Sequence, residues 1–235
     1  MLLEATLVGV VGMNALAVLL VLLRAAAFHT RLYRPMLLNV GLSVAPVLVL
    51  GAGVLVVAIT LAAGVPRGVA IAVEVVVVLV WLLLLPNAGY LVTELNLSHR
   101  RPGDEVPEWF DLLLVLSLAM SGVLNMLTNV FLVQLAYAGV RFNAVDALEG
   151  AEIRVLTVLV LVLASFGVYI GRNVRVNSWD VLHPWSLVAK IVRHLRAGRN
   201  SRDAAGFTLV CGAFFGLMYL VVVGPLVRAV ILLDA

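Results

Sequence analysis

Charge is what this sequence has least of. Only 12% of its 235 residues are Asp, Glu, Lys or Arg, about half the share of an ordinary soluble domain. So few charges cannot clothe a water-facing fold of this length, which excludes a soluble domain and leaves no room for an appended one. Cysteine is nearly absent too. Cys211 stands alone inside the last apolar run, which excludes an intrachain disulfide and reads as a small buried hydrophobe. There is no HExxH, no cysteine pair, no glycine-rich phosphate loop and no nucleophile elbow, so zinc chemistry, ATP hydrolysis and serine hydrolysis have no footing. Asp180 and His183 have helical spacing, but Pro184 follows at once and no further ligand supports them. Any cofactor, like the identity of any metal, is left unknown by the sequence. The N-terminus carries Glu4 and no basic stretch, so a cleavable leader is not expected, although Ala25-Ala26-Ala27 offers the small residues of a cleavage site.

What fills the sequence instead is aliphatic. Hydrophobic residues make up 63% of it and the mean hydropathy is +1.14. A membrane crossing needs about 20 predominantly apolar residues, and six such runs occur, at about 5–23, 37–63, 69–86, 111–136, 153–171 and 206–227. They predict an all-α integral membrane protein: one membrane domain over residues 1–235, built as a six-transmembrane-helix bundle. Pro86 marks the expected end of the third span. Twelve of the sixteen basic residues fall in or beside the first, third and fifth loops. Basic residues favour the cytoplasmic side of short loops, so these loops are expected inside and both termini outside. All four histidines fall on the same side. The net charge of +3 therefore reports topology and not a nucleic-acid partner.

The fifth loop contains a second kind of helix. From Pro184 to about residue 197, Trp185, Val188, Ile191, Val192 and Leu195 share one side, while Lys190, Arg193 and Arg196 lie round the other. Proline in the first turn and Gly198 at the stop bound it. This predicts a short cytoplasmic interfacial amphipathic helix, held in the headgroup layer by apolar burial and anionic lipid. Membrane lipids, anionic at the inner face, are accordingly the expected partners; protein partners are not specified.

Polarity inside the spans is sparse and placed. Ser117, Ser121, Asn125 and Thr128 recur at steps of four, four and three, so they form one stripe of the fourth span. Two accounts stay open for it, hydrogen bonding between helices or a hydrated path for a substrate or ion. Glu74 lies inside the third span, where a charge must be paired, neutral or watered, and Arg154 or Arg228 is its expected partner. Gly167 with Gly171 and Gly212 with Gly216 have the four-residue spacing that allows close helix approach.

The densest polarity sits at the ends of spans three, four and five. LLPNAGYLVTEL, residues 84–95, contributes Asn87, Tyr90 and Glu94; Glu108-Trp-Phe-Asp111 contributes Asp111; and YIGRNVRVNSWD, residues 169–180, contributes Arg172, Arg175, Asn177, Trp179 and Asp180. Arg172 and Arg175 are three apart and could form a double guanidinium fork for phosphate or carboxylate. They could equally be arginines snorkelling at a span end. Asn177 or Ser178 suits the cap of a new helix with Asp180 in its first turn. The three carboxylates Glu94, Asp111 and Asp180 are candidates for acid, base or cation work on a headgroup, or for ion pairs with the arginines. Asn87, Tyr90, Arg172, Arg175, Asn177 and Trp179 are the candidate ligand-binding set.

In order, LPNAGYLVTEL, the W-x-D of Trp109 to Asp111 and SFGVYIGRNVRVNSWD from Ser165 to Asp180 resemble the signature segments of a bacterial multi-pass membrane family, catalogued as domain of unknown function 1361. The resemblance covers roughly residues 80–185. Gly89 stands where that family usually has proline, and Glu94 where it usually has aspartate. The resemblance implies a multi-pass fold in a bacterial cytoplasmic membrane and a site at these motifs, and it implies no activity. Three functions are compatible with it: a lipid-headgroup site with or without enzyme activity, a small transporter or channel using the span-four stripe, and a structural or assembly subunit.

Overall fold

A computed structural model describes residues 2–94, 105–174 and 184–234. All regular structure among them is helical: α1 (Leu2–Ala27), α2 (Arg34–Ala62), α3 (Arg67–Tyr90), α4 (Glu108–Phe142), α5 (Ala151–Val174), α6 (Pro184–Arg196) and α7 (Gly198–Asp234), with 3-10 turns at Leu91–Glu94 and Asp146–Glu149. Six of these helices are long and apolar enough to cross a membrane. Five of them extend past both ends of the apolar run that signals them, and α2 past its start only, because helical hydrogen bonding continues into the flanking residues until a cap or loop intervenes.

α4 is the hub. It packs against α1, α2, α3, α5 and α7, and 72% of its most apolar window is buried, against 11% for α1. Leu114, Leu118, Met126 and Val130 are its most enclosed apolar side chains. The outward faces of the other spans remain aliphatic, as Val8, Leu48, Val76 and Leu217 illustrate. In a soluble protein that would be a liability; in hydrocarbon it is the ordinary state of a span.

Pro86 does not end the third span. α3 runs through it to Tyr90, and the ring is accommodated by the neighbouring helix: a Cβ at Gly167 of α5 would overlap the Pro86 ring. The expectation fails because a proline in a span is tolerated where neighbours make room and re-satisfy the freed backbone. The glycine pairs divide similarly. Gly167 is a close-approach point, and Gly212 faces Ser165 and Val162 at ordinary contact distance, whereas Gly171 and Gly216 meet nothing within 4 Å. Four-residue spacing identifies a face, but only the neighbour decides whether both members are used.

α6 is a separate short helix whose apolar side is shared between two environments. Ile191 and Leu195 pack with Tyr169, Ile170, Ala204 and Phe207. Trp185, at 86% exposure, and Val188 and Val192 are left uncovered. A polar contact adds to this packing: the Tyr169 hydroxyl of α5 lies 3.1 Å from His194 Nε2 of α6 and donates to the Asn200 carbonyl of α7 at 3.1 Å.

Candidate functional site

Antiparallel alternation brings the end of α1, the start of α2, the end of α3, the start of α4, the end of α5 and α6 to one end of the bundle. Among the described residues this is the end with most basic side chains, and the described parts of all three polar motifs belong to it.

The strongest interaction there involves a residue the motif reading had used only for topology. Arg24, from the last turn of α1, places Nε 2.8 Å from Asp111 Oδ1. Asp111 is fully buried and Arg24 is 6% exposed. Arg24 also donates from Nη1 to Thr30 Oγ1, 3.1 Å away, and Thr30 donates in turn to the Arg24 carbonyl. The intervening turn carries His29 in the left-handed region at φ 52°, which folds the first loop back over the pair. A carboxylate removed from water needs such a partner, because burial of a lone charge costs several kcal/mol. Asp111 is therefore paired with Arg24 at the α1–α4 contact.

Arg172 behaves differently. It is exposed, and its one hydrogen bond among the described residues runs from Nη1 to the Thr93 carbonyl at 3.2 Å. Thr93 belongs to the 3-10 turn Leu91–Glu94, whose terminal carbonyls lack helical donors, so one arm of the guanidinium caps that turn. A guanidinium carries five N–H donors. The remainder of the exposed Arg172 fork thus has no partner among the described residues.

Asn87 and Tyr90 are half-buried on the last turn of α3, and the Tyr90 carbonyl accepts from Thr93 Oγ1 at 2.7 Å. The backbone of Glu94 closes the 3-10 turn, while its side chain lies outside the described set. Arg175, Asn177, Trp179 and Asp180 also lie outside the described residues. Of the nine candidate residues, the structure brings Asn87, Tyr90, the Glu94 backbone and Arg172 to one corner, where α3 meets α5, and holds Asp111 at the α1–α4 contact. Among the described residues no group of three or more His, Cys, Asp or Glu is placed to hold a metal ion.

The span-four stripe is tied to neighbouring helices through Asn125. Asn125 and Asn14 of α1 exchange two amide hydrogen bonds, at 2.8 and 2.9 Å. Asn125 also donates to Ser43 Oγ of α2 at 2.9 Å, and Ser43 donates to the Ala88 carbonyl of α3 at 3.0 Å. One turn further, Asn129 accepts from Trp81 Nε1 at 2.9 Å and donates to the Asn125 carbonyl. Ser121 and Thr128 return their hydroxyls to their own helix, at Leu118 and Leu124. Four helices are thereby tied together in the hydrocarbon, where the alternative to a partner is an unsatisfied polar group. Farther along α4, Gln134 bonds Thr157 of α5 and accepts from Tyr219 of α7.

Glu74 takes neither expected partner: it is half-buried and forms no ion pair with Arg154 or Arg228 among the described residues. Val77, three residues along, faces Gly53 of α2, so Glu74 lies on the α2 side of α3, away from the helices that carry those arginines. Residues missed by sequence reasoning are Arg24, Asn14, Ser43, Trp81, Asn129 and Gln134. Their only local signal is a lone polar or amphipathic residue within an apolar run.

The family comparison fits this geometry. The family described as a protein of unknown function (DUF1361) matches over residues 38–220, so the chain belongs to that family. The match runs from α2 into α7, well past the three motifs, and omits α1, which supplies Arg24 and Asn14. No curated protein and no solved structure matches the chain. Gly89 has a local explanation: a Cβ there would lie 2.8 Å from Phe215 Cζ and 2.9 Å from Met126 Cε. The space a proline ring would need is filled by these two side chains.

Proposed function

For a member of this family, we propose that the basic end of the bundle binds an anionic lipid headgroup or phosphorylated lipid at the cytoplasmic face of a bacterial inner membrane. The observation that carries this reading is the open fork of Arg172, exposed and held by a single backbone carbonyl. A guanidinium in that state suits bidentate contact with phosphate. Asn87 and Tyr90 border it, and Arg175, Asn177 and Trp179 complete the proposed binding set. If the headgroup is also a substrate, Glu94 and Asp180 are the carboxylates for acid and base work, since Asp111 is taken up by Arg24.

The test is lipid-resolved native mass spectrometry of the purified full chain, beside Arg172→Ala and Asp180→Asn. Loss of a charge-assisted hydrogen-bonded contact is worth about 1.5–3 kcal/mol, so Arg172→Ala should weaken the binding of one anionic phospholipid by at least about tenfold. Unchanged bound lipid with lowered thermal stability in both variants would sink the proposal. That outcome would support a second reading, a structural or assembly subunit, which the buried Arg24–Asp111 pair favours. The transport reading gains nothing from the span-four stripe, whose Asn125, Ser121 and Thr128 are engaged within the bundle.

The proposed orientation, with both termini outside, has its own check. In intact cells a membrane-impermeant maleimide should label Leu2→Cys and spare Glu105→Cys; the reverse pattern would invert the topology.

A further inference from the structure

An apolar groove of about 710 Å³ runs along the outside of the bundle between α5 and α7. Val158, Val162 and Phe166 form one wall and Ala205, Gly212 and Gly216 the other, with Leu195 of α6 and Ser201 at its basic end. From Ser201 to Gly216 the groove follows sixteen residues of α7, about 22 Å over the fifteen rises between them at 1.5 Å each. That exceeds half of the roughly 30 Å hydrocarbon core, so it can hold an extended acyl chain lying along the helix.

Two further observations distinguish the groove from ordinary lipid-facing surface. The first is charge at its mouth. Arg202, Ala205, Leu209, Gly212 and Gly216 follow at steps of three, four, three and four, so Arg202 heads the stripe that lines the groove. Arg199 lies one turn before it. Both are exposed, and neither pairs with a carboxylate among the described residues. Side chains on a helix lean toward its N-terminus, so both guanidinium groups point out of the hydrocarbon toward the headgroup layer.

The second is Thr208, which lines the groove six residues, or about 9 Å, along α7 from Arg202. Its hydroxyl is buried and has no hydrogen-bond partner among the described residues. Thr128, Thr157 and Ser165 each donate to the carbonyl four residues back; Thr208 does not. Threonine has two χ1 wells in a helix, and rotation supplies a donor to the groove between its charged mouth and its apolar floor.

We propose that this groove is a binding site for one anionic glycerophospholipid, with an acyl chain along Gly212–Gly216, an ester carbonyl at Thr208 and the phosphate at Arg199 and Arg202. The site does not depend on the Arg172 corner: Arg172 turns to Thr93 beside α3, whereas the groove is built by α5, α6 and α7.

The full chain in nanodiscs is probed with phosphatidylglycerol carrying a photoreactive acyl chain, and cross-linked peptides are mapped. Label should concentrate on 158–166 and 205–216 and exceed that from the matched phosphatidylcholine probe at least fivefold. Gly216→Leu fills the groove from a position where a Cβ meets nothing within 4 Å, so it should fold and lose at least about four-fifths of the label. Gly9→Leu, equally open but on α1, should label like the wild type and serves as the folding control. Arg199→Gln with Arg202→Gln should abolish the preference for the anionic probe on the groove peptides 158–166 and 205–216. Equal labelling by both probes, undiminished labelling of Gly216→Leu, or a cross-link between two chains at Gly216→Cys would overturn the proposal, the last by showing that a second copy occupies the groove.

Discussion

Two polar systems in this molecule use similar donors to opposite ends. In mid-bundle, Asn14, Asn125, Ser43, Trp81 and Asn129 bind one another and the Ala88 carbonyl, and these contacts tie α1 to α4. At the basic end, Arg172 keeps one bond and exposes the rest of its fork. The Arg24–Asp111 pair is chemically akin to a ligand site but belongs with the first system, because it is closed and buried. The difference teaches that polarity in a membrane bundle acquires a candidate function where it is left open to a partner. Where it is sealed, it specifies how the helices meet.

Breaking the sealed system should cost most at the ion pair. Asp111→Ala leaves Arg24 buried beside an apolar group, and removal of one member of a buried pair costs about 3–5 kcal/mol. Thermal unfolding in a fixed detergent should register it as the largest loss among these variants. Replacing both, with Arg24→Met and Asp111→Leu, should recover much of it; failure to recover would mean that the pair's other contacts matter more than its charge balance.

Smaller losses follow within the helices. Gly167→Val forces a side chain into the Pro86 ring and should cost about 1–3 kcal/mol, which the same unfolding measurement resolves. Asn125→Val removes the partner of both Asn14 and Ser43; interhelical hydrogen bonds in membranes are worth about 0.6–2 kcal/mol. Arg172→Ala should lie at the other extreme, within about 0.5 kcal/mol of the wild type as an exposed substitution, while bound anionic lipid falls. A drop as large as that of Asp111→Ala would move Arg172 into the sealed system and erase the contrast. Least of all, Trp185→Ser should leave the unfolding temperature unchanged and alter only the hydrogen-exchange protection of α6 in anionic bilayers, since Trp185 is 86% exposed.

Much of the architecture was legible because its signals are local. Each span announces itself by the length of an apolar run, and α6 by a periodicity complete within thirteen residues. The stripe on α4 was legible as a stripe for the same reason. Its partners were not: Asn14 is 111 residues from Asn125, and Arg24 is 87 from Asp111. A lone asparagine or arginine carries no mark of the helix it will meet. Of the proposed site, the structure joins Arg172 to the turn after Tyr90 through Thr93, 79 residues away.

By itself the sequence determined that this chain is an all-α membrane bundle of six spans, with its basic residues gathered at one end and an amphipathic helix beside them. Hydrophobic length, helical period and charge bias suffice for that, because each acts within a single segment. Only the tertiary structure decided that Asp111 answers to Arg24, that Gly167 makes room for Pro86, that the α4 stripe is sealed and that Arg172 stays open. Those outcomes depend on which helices become neighbours, and in hydrocarbon that choice rests on packing and on polar groups finding each other across the bundle.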